Sequence, residues 1–188
     1  MSLILFNKPY GVMSQFSTHE SRATLADYVP HPDIYPAGRL DADSEGLMLL
    51  TNNGKLQHEI SHPESKKQKT YLAQVEGIAS VAQLKRLREP LGLGDFTTIG
   101  CHAARIETPI WLWERQPPVR TRAQIPTSWL VIRLVEGKNR QVRRMTAAVG
   151  LPTLRLIRSS IGPFSLANHP LMPGEWLDVG EDAWHTVK

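Results

Sequence analysis

The chain has 188 residues, 41% hydrophobic and 21% charged, enough for one medium domain or two small lobes around a packed core. No apolar run is long enough to span a bilayer and no signal segment opens the chain, so no membrane partner is expected. The lone Cys101 excludes an internal disulfide and a cysteine-rich zinc site, and suits a reducing cytoplasm. The net charge of +4 is modest but uneven. From Arg133 to Arg158, seven basic residues (Arg133, Lys138, Arg140, Arg143, Arg144, Arg155, Arg158) meet one acid, Glu136. Such a stripe suits a polyanion such as RNA or DNA, or else forms a solvated basic face.

In chain order, "LILFNKP" predicts a short strand ended by Pro9, and "ATLADYV" a short helix stopped by Pro30. "LMLLTNNGKLQHEIS" is an apolar run meeting the turn signal Asn53-Gly54, with a polar helix after it. "KTYLAQVEG" alternates as a strand does and closes on Gly77. "SVAQLKRLREPLG" predicts a helix with Ser80 at its start, Val81, Leu84 and Leu87 on one side, and Pro90 as its stop. "TSWLVIRLVEG" is a second strand, followed by "KNRQVRRMTAAVG", a helix that carries Val142, Met145 and Val149 on one side and ends at Gly150. "TLRLIRSSIGPFSL" and "GEWLDVG" are further strands. Residues 108–128, rich in Pro, Trp and Arg and without periodicity, predict a long ordered loop, because two tryptophans fit poorly in free solvent. The irregular mixture of strands and helices predicts an α+β fold.

"AGRLDADSEG" (37–46) places Asp41, Asp43 and Glu45 at alternate positions. Its D-x-D-x-E-G order resembles the start of a calcium loop, but the twelfth position is Asn52 rather than a bidentate Glu, and "LMLL" offers no oxygen ligand in between. Two of the carboxylates could instead flank a glycosidic bond, as in a hydrolase. In "AGRLD", the apolar Leu40 between Arg39 and Asp41 suggests a leucine anchoring a loop whose polar neighbours face a cleft; a surface ion pair beside a core leucine has the same spelling.

"PAGRLDADSEGLMLLTNNG", "KTYLAQVEG" and "EGKNRQVRRM", in that order, together with "NKPYG" and "LIRSSIGPFSL", resemble the RNA pseudouridine synthases of the small-subunit/large-subunit ribosomal branch. The matching stretches run from Asn7 to about Trp176. The resemblance implies a mixed, mainly antiparallel sheet in two lobes around an active-site cleft. It also implies an isomerase that breaks uridine's bond to nitrogen, turns the base and forms a carbon–carbon bond, without cofactor or metal. Many relatives carry a small S4-type RNA-binding domain ahead of the catalytic one. Here the first motif begins at Asn7, so a single catalytic domain over 1–188 is expected.

By the same resemblance, Asp41 is the catalytic aspartate, acting as nucleophile or as base, while Asp43 and Glu45 are scaffold or solvent groups. Tyr71 of "KTYLAQ" would stack on the target base, as an aromatic face suits a flipped nucleotide. Arg143 of "QVRRM" would be the basic partner of the aspartate. Arg39 would help displace the base, and Leu156 would pack the pocket. Lys138, Arg140 and Arg144 are expected at backbone phosphates. RNA affinity would come from this basic helix, from a lost extension, or from the Arg/Trp-rich loop, whose Trp111 and Trp113 could equally stack on bases or pack. The expected substrate is large-subunit (23S) ribosomal RNA or a pre-ribosomal particle, handled by a cytoplasmic monomer. Two alternatives stand beside this reading: a ribosome-associated binding module that keeps the fold without turnover, and a carboxylate-based nucleosidase or glycosidase.

Overall fold

A computed structural model describes residues 1–186. The chain divides into two compact units, one made of Met1–Lys67 with Arg158–Lys188, the other of Gln68–Ile157. The first unit begins with β1 (Leu3–Lys8), β2 (Tyr35–Pro36), β3 (Glu45–Thr51) and α1 (Gly54–Ser61). The second holds β4 (Lys69–Glu76), α2 (Val81–Arg88), β5 (His102–Ile106), β6 (Thr127–Leu134) and α3 (Gln141–Ala148). β7 (Thr153–Ile161) starts in the second unit and ends in the first, followed there by β8 (Phe164–Ser165), β9 (Trp176–Asp178) and α4 (Ala183–Thr186). Strands with few short helices make this an α+β fold.

In the first unit β1 lies between β3 and β9, antiparallel to both, with Leu3 opposite Thr51, Lys8 opposite Gly46 and Leu5 opposite Leu177. Every residue of β1 and of β3 is buried. A strand covered on both faces has no reason to alternate, which is why "LILF" and "LMLL" read as continuous apolar runs. Each Leu, Ile or Phe buried this way contributes roughly 1.5–3 kcal/mol. α1 begins where Asn53 accepts from the Lys55 and Leu56 amides at 3.0 and 3.2 Å, so "TNNG" is a helix cap rather than a hairpin turn. The side-chain amide of Asn53 also donates to Glu181 at 2.7 Å. The helix expected in "ATLADYV" is only a single 3-10 turn, Leu25–Asp27. Asp27 caps the Thr24 amide at 2.7 Å, and Pro30 follows too soon for a further turn.

In the second unit β6 pairs with β4 along its whole length, Thr127 opposite Glu76 and Leu134 opposite Lys69, and with β5, His102 opposite Arg133. β5, "HAARI", carries no strand signal of its own and forms because β6 offers it a free edge. α2 starts at Ser80, as its sequence predicts, where Gln83 completes a capping box, and Leu87 is buried. Val81, placed on the same apolar side, is instead 83% exposed. α3 buries Val142 and Met145 and is followed by Gly150 at φ +77°, a backbone conformation that favours glycine.

The double role of Asn53 gives a direct test of the first unit's packing. Asn53→Ala should lower the unfolding free energy by about 1–2 kcal/mol in urea titrations. An unchanged midpoint would show that cap and Glu181 contact add nothing.

Candidate active site

The loop from Ala37 to Ser44 presents Asp41, and the first unit holds its backbone from several sides. The Ala37 amide bonds Leu49 O at 2.8 Å, tying the loop's start to β3. The Ser14 hydroxyl bridges Leu40 twice, donating to its carbonyl at 2.6 Å and accepting from its amide at 3.1 Å. Leu40 is buried, whereas Arg39 on one side is exposed and Asp41 on the other is half-buried. The leucine thus anchors the loop, as its spelling suggests. Beyond Asp41, the Ala42 carbonyl takes the Gly11 amide at 2.7 Å, and the Ser44 amide closes a turn on Asp41 O at 3.0 Å. A carboxylate held on so clamped a backbone is preorganised for chemistry.

Lys8 provides the remaining hold. Fully buried at the end of β1, its Nζ donates to Pro9 O and Val12 O at 2.8 Å and approaches Ala42 O at 3.5 Å. Burial pushes its pKa down from 10.5 to about 7, opposed by the charges of Glu45, Asp43 and Asp41 and reinforced by that of Arg158. A neutral amine still has two N–H groups, enough for the two short bonds. Arg158, also buried, donates from Nε to Leu47 O at 2.9 Å. Neither Lys8 nor Ser14 is singled out by the sequence reading; a lysine inside the apolar run "LILFNKP" is the signal that could have found the first.

The acidic trio separates. Asp41 and Asp43 are half-buried on the loop, while Glu45 is buried in β3 and is scaffold rather than a solvent group. Among the described residues no three His, Cys, Asp or Glu converge as metal ligands. Cys101 is no competing nucleophile, since burial pushes its thiol up to about 11 and Sγ donates to Leu87 O at 3.2 Å.

The second unit holds the other expected site residues. Tyr71 lies in β4 opposite Ile132, on the face shared with Ala73 and Val75, and is 9% exposed. Leu156 is buried in β7. Arg143 of α3 donates to Thr153 O at 3.4 Å, and Thr146 and Thr153 share a 2.7 Å bond that fastens α3 to the start of β7. The turn before α3 is built by Gln141 and Glu136. Gln141 Oε1 accepts from the Lys138 amide at 3.0 Å, its Nε2 donates to Glu136 at 2.7 Å, and Glu136 also takes the Ile99 amide at 3.1 Å. The one acid in the basic stripe is therefore a strut, and Lys138 and Arg140 project exposed from the turn it braces. The stripe itself is not one face. Arg155 is buried against Trp113 O at 3.0 Å, Arg158 belongs to the first unit, and Arg144 is ion-paired with Asp95 and stacked 4.8 Å from the Phe96 ring centre.

A sequence model of RNA pseudouridylate synthases matches residues 2–148, more than three quarters of the chain. The chain belongs to the RNA pseudouridylate synthase family. The ribosomal-branch resemblance holds as well. The chain is 54% identical over 177 residues to ribosomal large subunit pseudouridine synthase E of Vibrio vulnificus, covering 94% of this chain and 74% of that protein. It is 51% identical over 176 residues to the synthase of the same name from Xanthomonas campestris pv. campestris, covering 93% of each. A crystal structure of a pseudouridylate synthase superposes with TM-score 0.81 over the whole chain and 74% of its own length, at 23% identity, a likeness of fold. The Asp41 loop, Tyr71 and Arg143 all lie within the span matched to this synthase family.

The depressed Lys8 pKa carries a pH signature. Between about pH 7 and 10.5 the unfolded chain binds a proton at Lys8 that the folded chain has released, so folding stability gains with rising pH across that window and is penalised below it. The wild-type unfolding free energy, taken relative to Lys8→Met, should therefore rise from pH 6.5 to 9 in urea titrations. A difference that stays flat would mean that Lys8 remains charged when folded.

Proposed function

We propose that this protein isomerises a uridine of large-subunit (23S) ribosomal RNA to pseudouridine, with Asp41 as its working carboxylate and with neither cofactor nor metal. The observation that carries the reading is the family match through residue 148, with Asp41 on a loop clamped by Ser14, Lys8 and Gly11. The ribosomal substrate follows the names of the Vibrio and Xanthomonas relatives, and the exposed cations of the α3 turn suit it. A cytoplasmic monomer acting on RNA or on an assembling particle completes the proposal.

The reaction exchanges one bond for another. The bond from ribose C1′ to base N1 breaks, the ring turns, and C5 bonds to C1′, while N1 gains a proton and C5 loses one. A single carboxylate serves this as nucleophile toward sugar or base, or as base toward a ribose proton. We assign Tyr71 to hold the base by its ring, Arg143 to balance the carboxylate, Arg39 to help displace the base, and Leu156 to pack the pocket. Lys138 and Arg140 take backbone phosphates. Arg144 would do so only by exchanging Asp95 for phosphate.

The test exposes unmodified large-subunit ribosomal RNA to the protein and maps pseudouridine by carbodiimide treatment and primer extension. Wild type should create a new stop that Asp41→Asn lacks, although the variant binds the RNA with similar affinity. Substantial turnover by Asp41→Asn would refute the assignment, and RNA binding without any stop would make the protein a binding module. Lys138→Ala should weaken binding across sequences and flatten its salt dependence by about one unit. An unchanged slope removes Lys138 from the phosphate contacts.

A further inference from the structure

Charge is divided between the two units more sharply than the overall +4 suggests. Gln68–Ile157 contains fourteen Lys and Arg against six Asp and Glu, a net +8, and the rest of the chain contains eight against twelve, a net −4. A polyanion is therefore attracted to the second unit, and within it the α3 region offers fewer outward cations than its sequence promises. Arg155 is buried, Arg144 is paired with Asp95, and Arg143 bonds Thr153 O.

The loop between β5 and β6, residues 107–126, has the complementary properties. It contains neither helix nor strand, yet its own contacts order it. The Leu112 amide bonds Pro109 O at 3.1 Å and the Ile125 amide bonds Arg122 O at 3.0 Å. Arg115 spends its guanidinium on Pro117 O and Pro118 O, at 2.8 and 2.9 Å. Trp113 is buried, with the Arg155 guanidinium 5.7 Å from its ring centre and Trp111 at 6.3 Å. Of the loop's aromatic and basic side chains, Trp113 and Arg115 thus serve as framework. That framework holds out Ile110, fully exposed in the turn beside half-buried Trp111, and two arginines, Arg120 and Arg122. Arg122 is 75% exposed, with a 3.6 Å ion pair to Glu76. An apolar side chain on a preordered turn, with arginines on the same loop, fits nucleic acid whose bases are partly unstacked. The apolar group packs on an exposed base face while the guanidinium groups take phosphates.

We propose that loop 107–126 is an RNA-gripping element, in which Arg120 and Arg122 neutralise phosphates and Ile110 packs against an unstacked base of the substrate. The proposal rests on the RNA-modifying reading above and adds the surface that engages the RNA. It separates the two tryptophans, giving Trp113 to packing and leaving Ile110 as the contact.

The experiment measures fluorescence anisotropy of a labelled large-subunit ribosomal RNA transcript against KCl concentration, in the Asp41→Asn background so that no turnover intervenes. Arg120→Ala/Arg122→Ala should weaken binding and make the log–log salt slope shallower by about 1.5, near 0.7–0.9 for each phosphate no longer neutralised. Ile110→Ser should lower affinity several-fold with the slope unchanged. Lys85→Ala/Arg86→Ala, which removes two exposed cations of the same unit on α2, serves as the comparison and should change the slope less. Thermal melts of each variant check that the fold is retained. If the loop pair leaves affinity and slope unaltered, or alters them no more than the α2 pair does, the loop assignment is overturned in favour of diffuse attraction. If the parent protein binds no RNA, the RNA-modifying reading fails and the loop assignment fails with it.

Discussion

The amine of Lys8 is buried at the end of the central strand of the first unit, and it donates to Pro9 O and Val12 O. Those two bonds define the turn after β1, and Ala42 O, the third neighbour, is the carbonyl that the Gly11 amide of that turn also binds. The backbone at Asp41 is in this way tied to a buried strand. Burying a lysine is costly, and the depressed pKa expresses that cost. Glu45, Asp43 and Asp41 reduce it, which gives all three acids of the "DADSE" stretch a physical role toward Lys8.

Ser14 completes the arrangement by satisfying both the amide and the carbonyl of Leu40 with one hydroxyl. A buried peptide with either group unpaired would be destabilised by about 1–3 kcal/mol, and the loop would relax to avoid it. The leucine side chain, the serine hydroxyl and the lysine amine leave the loop little freedom, and the role proposed for Asp41 calls for that rigidity. The second unit is built on another plan, with exposed cations held away from the surface by polar struts. Glu136 and Gln141 brace the turn before α3, and Arg115 braces loop 107–126.

Much of the fold was legible in the chain. β4 and β6 alternate, α2 begins at a serine cap, α3 ends at a glycine with positive φ, and β1 and β3 are plain apolar runs. These signals are local, because caps, turns and burial patterns act within a few residues. Where the sequence reading missed a strand, the deciding partner was distant, since β5 depends on the edge of β6. The 3-10 turn at Leu25 is a local case, a helix left without room before Pro30.

The functional residues divide in the same manner. Sequence by itself determined the family and the excess of positive charge, and it singled out the "GRLD" carboxylate proposed above as the working one, since motif order and residue type survive in one dimension. Only the tertiary structure decided which charges do what. Lys8 and Arg158 became buried struts, Glu45 part of a buried strand, Arg144 the partner of Asp95, and Trp113 a packing residue beneath Arg155. The reason is that a charge is spelled the same way whether it faces water or a carbonyl. The environment that separates those cases is assembled largely from residues tens of positions away, such as Ala42 for Lys8, Leu47 for Arg158 and Trp113 for Arg155.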